Sequence, residues 1–210
     1  MTSVVDLKPR CDCPTASGRS ARRAARQPVP PVTAGRLRGG KGLSKGVMQI
    51  SQQLDRQFET AVLERLPNGW EAAPRVNRMA GIRLRRADGN NIGDIDVLAW
   101  NPESRHIWLL DAKRLAPGLA PDSMLRDAQK LEANAEHQHE RLEWVLRHRG
   151  QLSARIGQDC ADWHVASAIV IDKPLAGAHL ARIDIPVWTY WELPSRLAER
   201  KTHLSRPVEN

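Results

Sequence analysis

Gly93-Asp94-Ile95-Asp96-Val97-Leu98-Ala99-Trp100 and Ile107-Trp108-Leu109-Leu110-Asp111-Ala112-Lys113 decide how this chain is read. Each is an apolar run of strand length, and Asn101-Pro102-Glu103-Ser104 between them has the composition of a hairpin turn. Side chains alternate along a strand, so Asp94 and Asp96 share a face, as do Asp111 and Lys113. Charged groups inside strands this apolar are costly to bury unless they pair with one another or bind a metal.

Outward from these strings the pattern is mixed. Ile50, Leu54, Phe58, Ala61, Val62 and Leu66 recur at helical spacing from Met48 onward, and Pro67-Asn68-Gly69 stops that helix. Glu59 falls at the edge of its apolar stripe, Asp55 within the stripe and Glu64 on the wet side. Trp70–Val76 and Gly81–Arg86 read as short strands or a hairpin arm, and Asp88-Gly89-Asn90-Asn91 as a turn. Strands are expected over 92–100 and 106–114. Asp122 or Ser123 caps a helix that should run to about Arg149 and end at Gly150. Met124, Ala128, Leu131, Ala135, Gln138, Leu142 and Val145 lie on one face of it. Val165–Ile171 and Ile185–Trp191 read as further strands, and Glu192–Arg200 as a short last helix. The order predicts an α/β domain with a mixed sheet.

Composition limits the rest. The chain has 210 residues and a net charge of +8. All of that excess lies in residues 1–46, which hold ten Lys/Arg and two acids. Rich in Ala, Arg, Pro and Gly and lacking apolar periodicity, this segment reads as a disordered basic arm. Residues 47–205 read as the domain and 206–210 as a tail. The remainder after residue 46 is neutral, so total charge gives no basic folded face. No apolar run has the length of a membrane span, and three cysteines do not make a disulfide framework. Both point to a cytoplasmic protein with no membrane partner.

Asp96 and Asp111, on adjacent strands of a hairpin, can converge on one divalent cation. Mg²⁺ takes hard oxygen ligands and binds through one or two carboxylates plus waters and substrate phosphate. Lys113 points to the same side and can stabilise a phosphorane-like transition state or orient water. Gly-Asp-Ile-Asp, a turn, then Leu-Leu-Asp-Ala-Lys resembles the core of the PD-(D/E)xK nuclease superfamily, nearest to its nuclease-related (NERD) and Holliday-junction-resolvase-like branches. The resemblance covers roughly residues 50–135.

The resemblance implies a restriction-endonuclease-like αβββαβ core with a mixed central sheet flanked by helices. It implies a Mg²⁺- (or Mn²⁺-) dependent endonuclease acting on DNA. Asp96 and Asp111 match its metal-binding acids and Lys113 its catalytic lysine. Glu59 resembles a helix glutamate that joins the metal site, and Gln129 is similar to a glutamine of the following helix. Asp111 stands where the nearest relatives more often have Glu. Asp94 shares the face of Asp96 and reads as a neighbour that tunes the site.

Trp100 and Trp108 flank the turn and are candidates for base stacking, with Arg114 as a further nucleic-acid contact. Glu136-His137-Gln138-His139-Glu140 looks metal-like, but histidines two apart on a helix diverge. The alternatives are a non-catalytic DNA-binding or assembly subunit of the same fold, or an RNA-directed nuclease. A homodimer is compatible with either.

Overall fold

The computed structural model describes residues 41–115, 118 and 120–199. Helix α1 spans Lys41–Glu64 and is followed by strand β1, Glu71–Val76. A small hairpin comes next, β2 at Arg78–Met79 and β3 at Ile82–Arg83. Strands β4 (Ile95–Asn101) and β5 (His106–Lys113) carry the two strings. Helices α2 (Pro121–Arg147) and α3 (Arg149–Ile156), strands β6 (His164–Ile171) and β7 (Val187–Thr189), and helix α4 (Leu193–Ala198) complete the order.

Five strands form one mixed sheet in the order β1-β4-β5-β6-β7. β4 runs antiparallel to β1 and β5, while β6 lies parallel to β5 and β7 parallel to β6. β5 is therefore central, and its near-continuous apolar sequence is what burial on both faces requires. Ile107 and Leu109 pack with Trp144 and Val145 of α2 and Leu152 of α3 on one face. Trp108, Leu110 and Ala112 pack with Phe58 and Val62 of α1 and Leu193 and Leu197 of α4 on the other. Each fully buried Leu or Ile contributes roughly 1.5–3 kcal/mol. The expected α/β class with a helix-flanked mixed sheet is what is found. Among the described residues no helix is long and apolar enough to cross a membrane.

Several expected boundaries shift for local reasons. α1 begins at Lys41, inside the segment read as disordered; residues 1–40 and the tail at 206–210 lie outside the described residues. α2 starts at Pro121, whose missing N–H is harmless in a first turn, and Ala120 precedes it without a side-chain cap. Asp122 thus sits within the first turn rather than capping it. Gly150 does not end the helical segment. The break falls at His148, and α3 runs on to Gly157, whose φ of 79° supplies the left-handed C-terminal turn.

Asp94 lies just before β4, not within it. The hairpin turn after β4 is as expected: the Asn101 carboxamide oxygen accepts the Ser104 N–H at 2.9 Å. Ala80 and Gly81, with φ of 47° and 82°, form the two-residue β2–β3 turn. Positive φ at both positions is the geometry a tight right-twisted hairpin needs.

Candidate active site

The β4–β5 pairing stops at Val97–Leu110, and one residue further the strands part. There the Asp96 carboxylate accepts the Ala112 N–H at 2.9 Å through Oδ2, taking a donor that the ladder no longer pairs. Extension of the same register would set Asp96 opposite Asp111. Lys113 Nζ joins them, 3.0 Å from Asp111 Oδ1 and 3.4 Å from Asp96 Oδ2. Two carboxylates and an ammonium, one on β4 and two on β5, thus meet where the sheet opens.

A fourth charge arrives from α2. Arg141 Nη1 donates to Asp111 Oδ1 at 2.9 Å and to Gln138 Oε1 at 3.0 Å, while its Nε donates to the Ile92 carbonyl at 3.3 Å. Gln138 is wholly buried and donates through Nε2 to the carbonyls of Leu109 (3.1 Å) and Ala168 (3.4 Å). It ties α2 to β5 and β6 and holds Arg141 over the site. The Gly93 of the first string has its reason here. Its φ is 85°, and a Cβ there would stand 2.9 Å from Arg141 Nη2.

Burial grades the charges. The Asp111 side chain is 1% exposed, Arg141 11%, Asp96 17% and Lys113 29%, so the site opens to solvent on the Lys113 side. Asp111 Oδ2 is buried with no hydrogen-bond partner among the described residues. Burial, and then the charge of Asp111, raise the Asp96 pKa from 3.8 to about 6, against the opposing pull of Lys113 and the Ala112 N–H. Burial works against the Lys113 charge, but Asp111 and then Asp96 outweigh it and hold the ammonium above its ordinary value.

Glu59 is near enough for its charge to add to the Asp96 shift. It is committed elsewhere, to Arg75 Nε at 2.7 Å. Arg75 stands between the β1–β4 pairs Pro74–Val97 and Val76–Ile95, with φ of 49°. Among the described residues no three His, Cys, Asp or Glu side chains are grouped to hold a metal ion. The donor set on offer is therefore two carboxylates, which suits a cation that keeps most of its waters. Asp111 Oδ2, an unpartnered buried acceptor, is an oxygen such a cation would satisfy.

Other expected residues lie away from this point. Gln129 is exposed on α2; the glutamine that faces the site is Gln138. Trp100 and Trp108 are buried on opposite faces of the sheet, at the far end of the strands, and Trp108 packs on Trp188 with ring centroids 4.7 Å apart. Core packing thus replaces the stacking role. Arg114 lies 3.9 Å from Asp55 and 4.0 Å from Asp172. Asp94 is half-buried and makes no ion pair among the described residues. His137 and His139 diverge as expected, to Glu140 at 3.5 Å and Asp184 at 2.6 Å.

No match to this chain was found among protein-family models, curated proteins or solved structures. Its chemistry has to be argued from its own residues.

A cavity of about 630 Å³ does open in the molecule, but at the other end of the strands. It is lined by Trp70, Asn101, His106, Trp108, His164 and Glu199 among others. Volume and converging charge thus sit at opposite ends of the same strand pair.

Arg141 and Gln138 are site residues that the two strings do not announce. The available signal is Gln138 itself, a carboxamide on the apolar face of α2, with Arg141 three residues on and so on the same side.

Proposed function

We propose that this protein is a divalent-metal-dependent nuclease that hydrolyses phosphodiester bonds in DNA. The observation that carries the reading is the meeting of Asp96, Asp111 and Lys113 at the parting of two strands, with Asp111 Oδ2 left unpartnered. The likeness of the two strings to the PD-(D/E)xK pattern and the restriction-endonuclease-like order of helix, three antiparallel strands, helix and parallel strand point the same way.

In this reading Asp96 and Asp111 hold Mg²⁺ or Mn²⁺. The ion would polarise the scissile phosphate and lower the pKa of a bound water. Lys113, 3.0 Å from Asp111 and 3.4 Å from Asp96, acts in this reading as a cation beside the metal ligands. It orients the attacking water or offsets charge gathering on the phosphoryl oxygens. Arg141 fixes the Asp111 carboxylate by Oδ1. Glu59 stays a supporting acid, released only if Arg75 turns to another anion.

A DNA cleavage assay with Mg²⁺ tests this. Asp96→Asn and Lys113→Ala should each lower the rate roughly 10²–10⁴-fold with folding intact by circular dichroism. Cleavage by both variants at the wild-type rate would sink the assignment.

One observation favours a second reading, a non-catalytic nucleic-acid-binding subunit of the same fold. Lys113 and Arg141 already balance Asp96 and Asp111, so the cluster is neutral without a metal. That reading predicts no cleavage by the wild type under any divalent ion.

A further inference from the structure

From β1 into the β2–β3 hairpin the chain carries a concentration of charge that the neutral balance of residues 47–210 conceals. Residues 72–87 contain five arginines and no acid. Two of the five are committed: Arg75 to Glu59, and Arg86 to Glu140 at 2.7 Å. Arg78, Arg83 and Arg85 are exposed and make no ion pair among the described residues.

The hairpin is two-faced. Met79 and Leu84 are fully buried and pack with Ile92, Ile95, Trp144 and Val145. Arg78 and Arg83 are register partners across β2 and β3, so their side chains share the outer face, and Arg85 follows Arg83 at strand spacing. Like charges directly opposite in a ladder are destabilising. Nothing in the fold of the hairpin itself requires them, since its hold on the domain comes from Met79 and Leu84.

Their position adjoins the site. The Ile92 N–H donates to the Leu84 carbonyl at 3.5 Å, and the Ile92 carbonyl accepts from Arg141, which holds Asp111. Leu84 sits between Arg83 and Arg85. The arm thus leaves the sheet at the end of β1 and β4 that carries Arg75 and Asp96, not at the end with the large cavity.

We infer that Arg78, Arg83 and Arg85 form a phosphate-binding ridge that docks the backbone of duplex DNA beside the Asp96–Asp111–Lys113 site. The inference rests on the nuclease-fold reading for its choice of polyanion. Repeating phosphates along a strand offer anions at a spacing that a row of guanidinium groups can follow, and Arg pairs phosphate by two parallel hydrogen bonds. Such contacts position the duplex without reading its sequence.

The test is fluorescence anisotropy of a labelled short duplex DNA with the full chain, in EDTA, over a range of salt. The triple variant Arg78→Ala/Arg83→Ala/Arg85→Ala should bind roughly tenfold or more weakly. The slope of log affinity against log salt should fall by about 0.9 for each arginine–phosphate pair removed, hence by about two to three for the triple variant. A variant with the same charge change elsewhere, Arg126→Ala/Lys130→Ala/Arg182→Ala, should keep most of the slope. Equal losses in both variants, or none in either, would overturn the ridge. So would unchanged DNA binding with lost binding to polyglutamate, which would assign the ridge to an acidic protein.

Because binding is read without metal, it is separable from catalysis. Ridge-dependent binding by a protein that never cleaves leaves the ridge standing and removes the nuclease. Cleavage with ridge-independent binding does the reverse.

Discussion

The two ends of the β4–β5 pair obey opposite rules. At one end a tight turn joins the strands, side chains fill both faces, and the space left over is the 630 Å³ cavity walled by Trp70, His106 and His164. At the other the strands part, and four charged side chains fill the gap with one another: Asp96, Asp111, Lys113 and Arg141. The first end is roomy and its rings are packed for stability. The second is nearly full, yet it holds charges that the sheet would not bury for stability alone, since buried ion pairs rarely outperform apolar packing. Perturbed electrostatics, not space, is what singles out the charged end as the candidate site.

The contrast can be broken at the charged end first. Arg141→Met removes a buried partner of Asp111 and leaves its carboxylate to Lys113 alone. Stability should fall by about 3 kcal/mol, read by urea unfolding, and Arg141→Met/Asp111→Asn should recover part of that loss. His106→Ala, at the roomy end, should change stability by much less. Equal losses at both ends would mean that the charge cluster is ordinary packing.

The pH dependence gives the next largest effect. Asp96 holds its proton more tightly in the folded protein than in the unfolded chain, with a pKa of about 6 against 3.8. Its contribution is therefore fully present below pH 3.8, is lost as pH rises through about 6, and is flat above that. In metal-free buffer this should remove about 2–3 kcal/mol across that window, and Asp96→Asn should flatten the curve. A wild-type curve identical to that of Asp96→Asn would deny the burial that sets the site apart.

The smallest effect tests the fit of Gly93 under Arg141. Gly93→Ala forces a φ of 85° on an alanine and presses on the guanidinium, so it should cost about 1–2 kcal/mol. Gly157→Ala, with φ of 79° but nothing within 4 Å, should lose only the conformational part.

Much of this is legible in the two strings. Alternation puts Asp111 and Lys113 on one face, and the Asn-Pro-Glu-Ser turn brings Asp96 beside them. The apolar spacing of α1 and α2 foretells the helical layers. What cannot be read locally are the partners supplied across long separations. Arg141 reaches Asp111 from thirty residues away, and Gln138 rather than Gln129 faces the sheet because it alone lies on the buried stripe. Glu59, at the edge of its stripe, does come near Asp96. Its capture by Arg75, sixteen residues away on β1, is not announced by residue type. Trp100 and Trp108 neighbour the strings in sequence but not the charges in space, because they occupy the opposite end of the strands. The ridge is hidden by a net charge that balances over the domain while separating in space.

The central claim is that the gap between Asp96 and Asp111 is a cation site and not a self-satisfied ion cluster. Calorimetric titration of Mn²⁺ into the metal-free full chain tests it most directly. The account predicts saturable binding by the wild type that disappears in Asp96→Asn while the fold persists. No binding at millimolar Mn²⁺, or binding unchanged by Asp96→Asn, would contradict it.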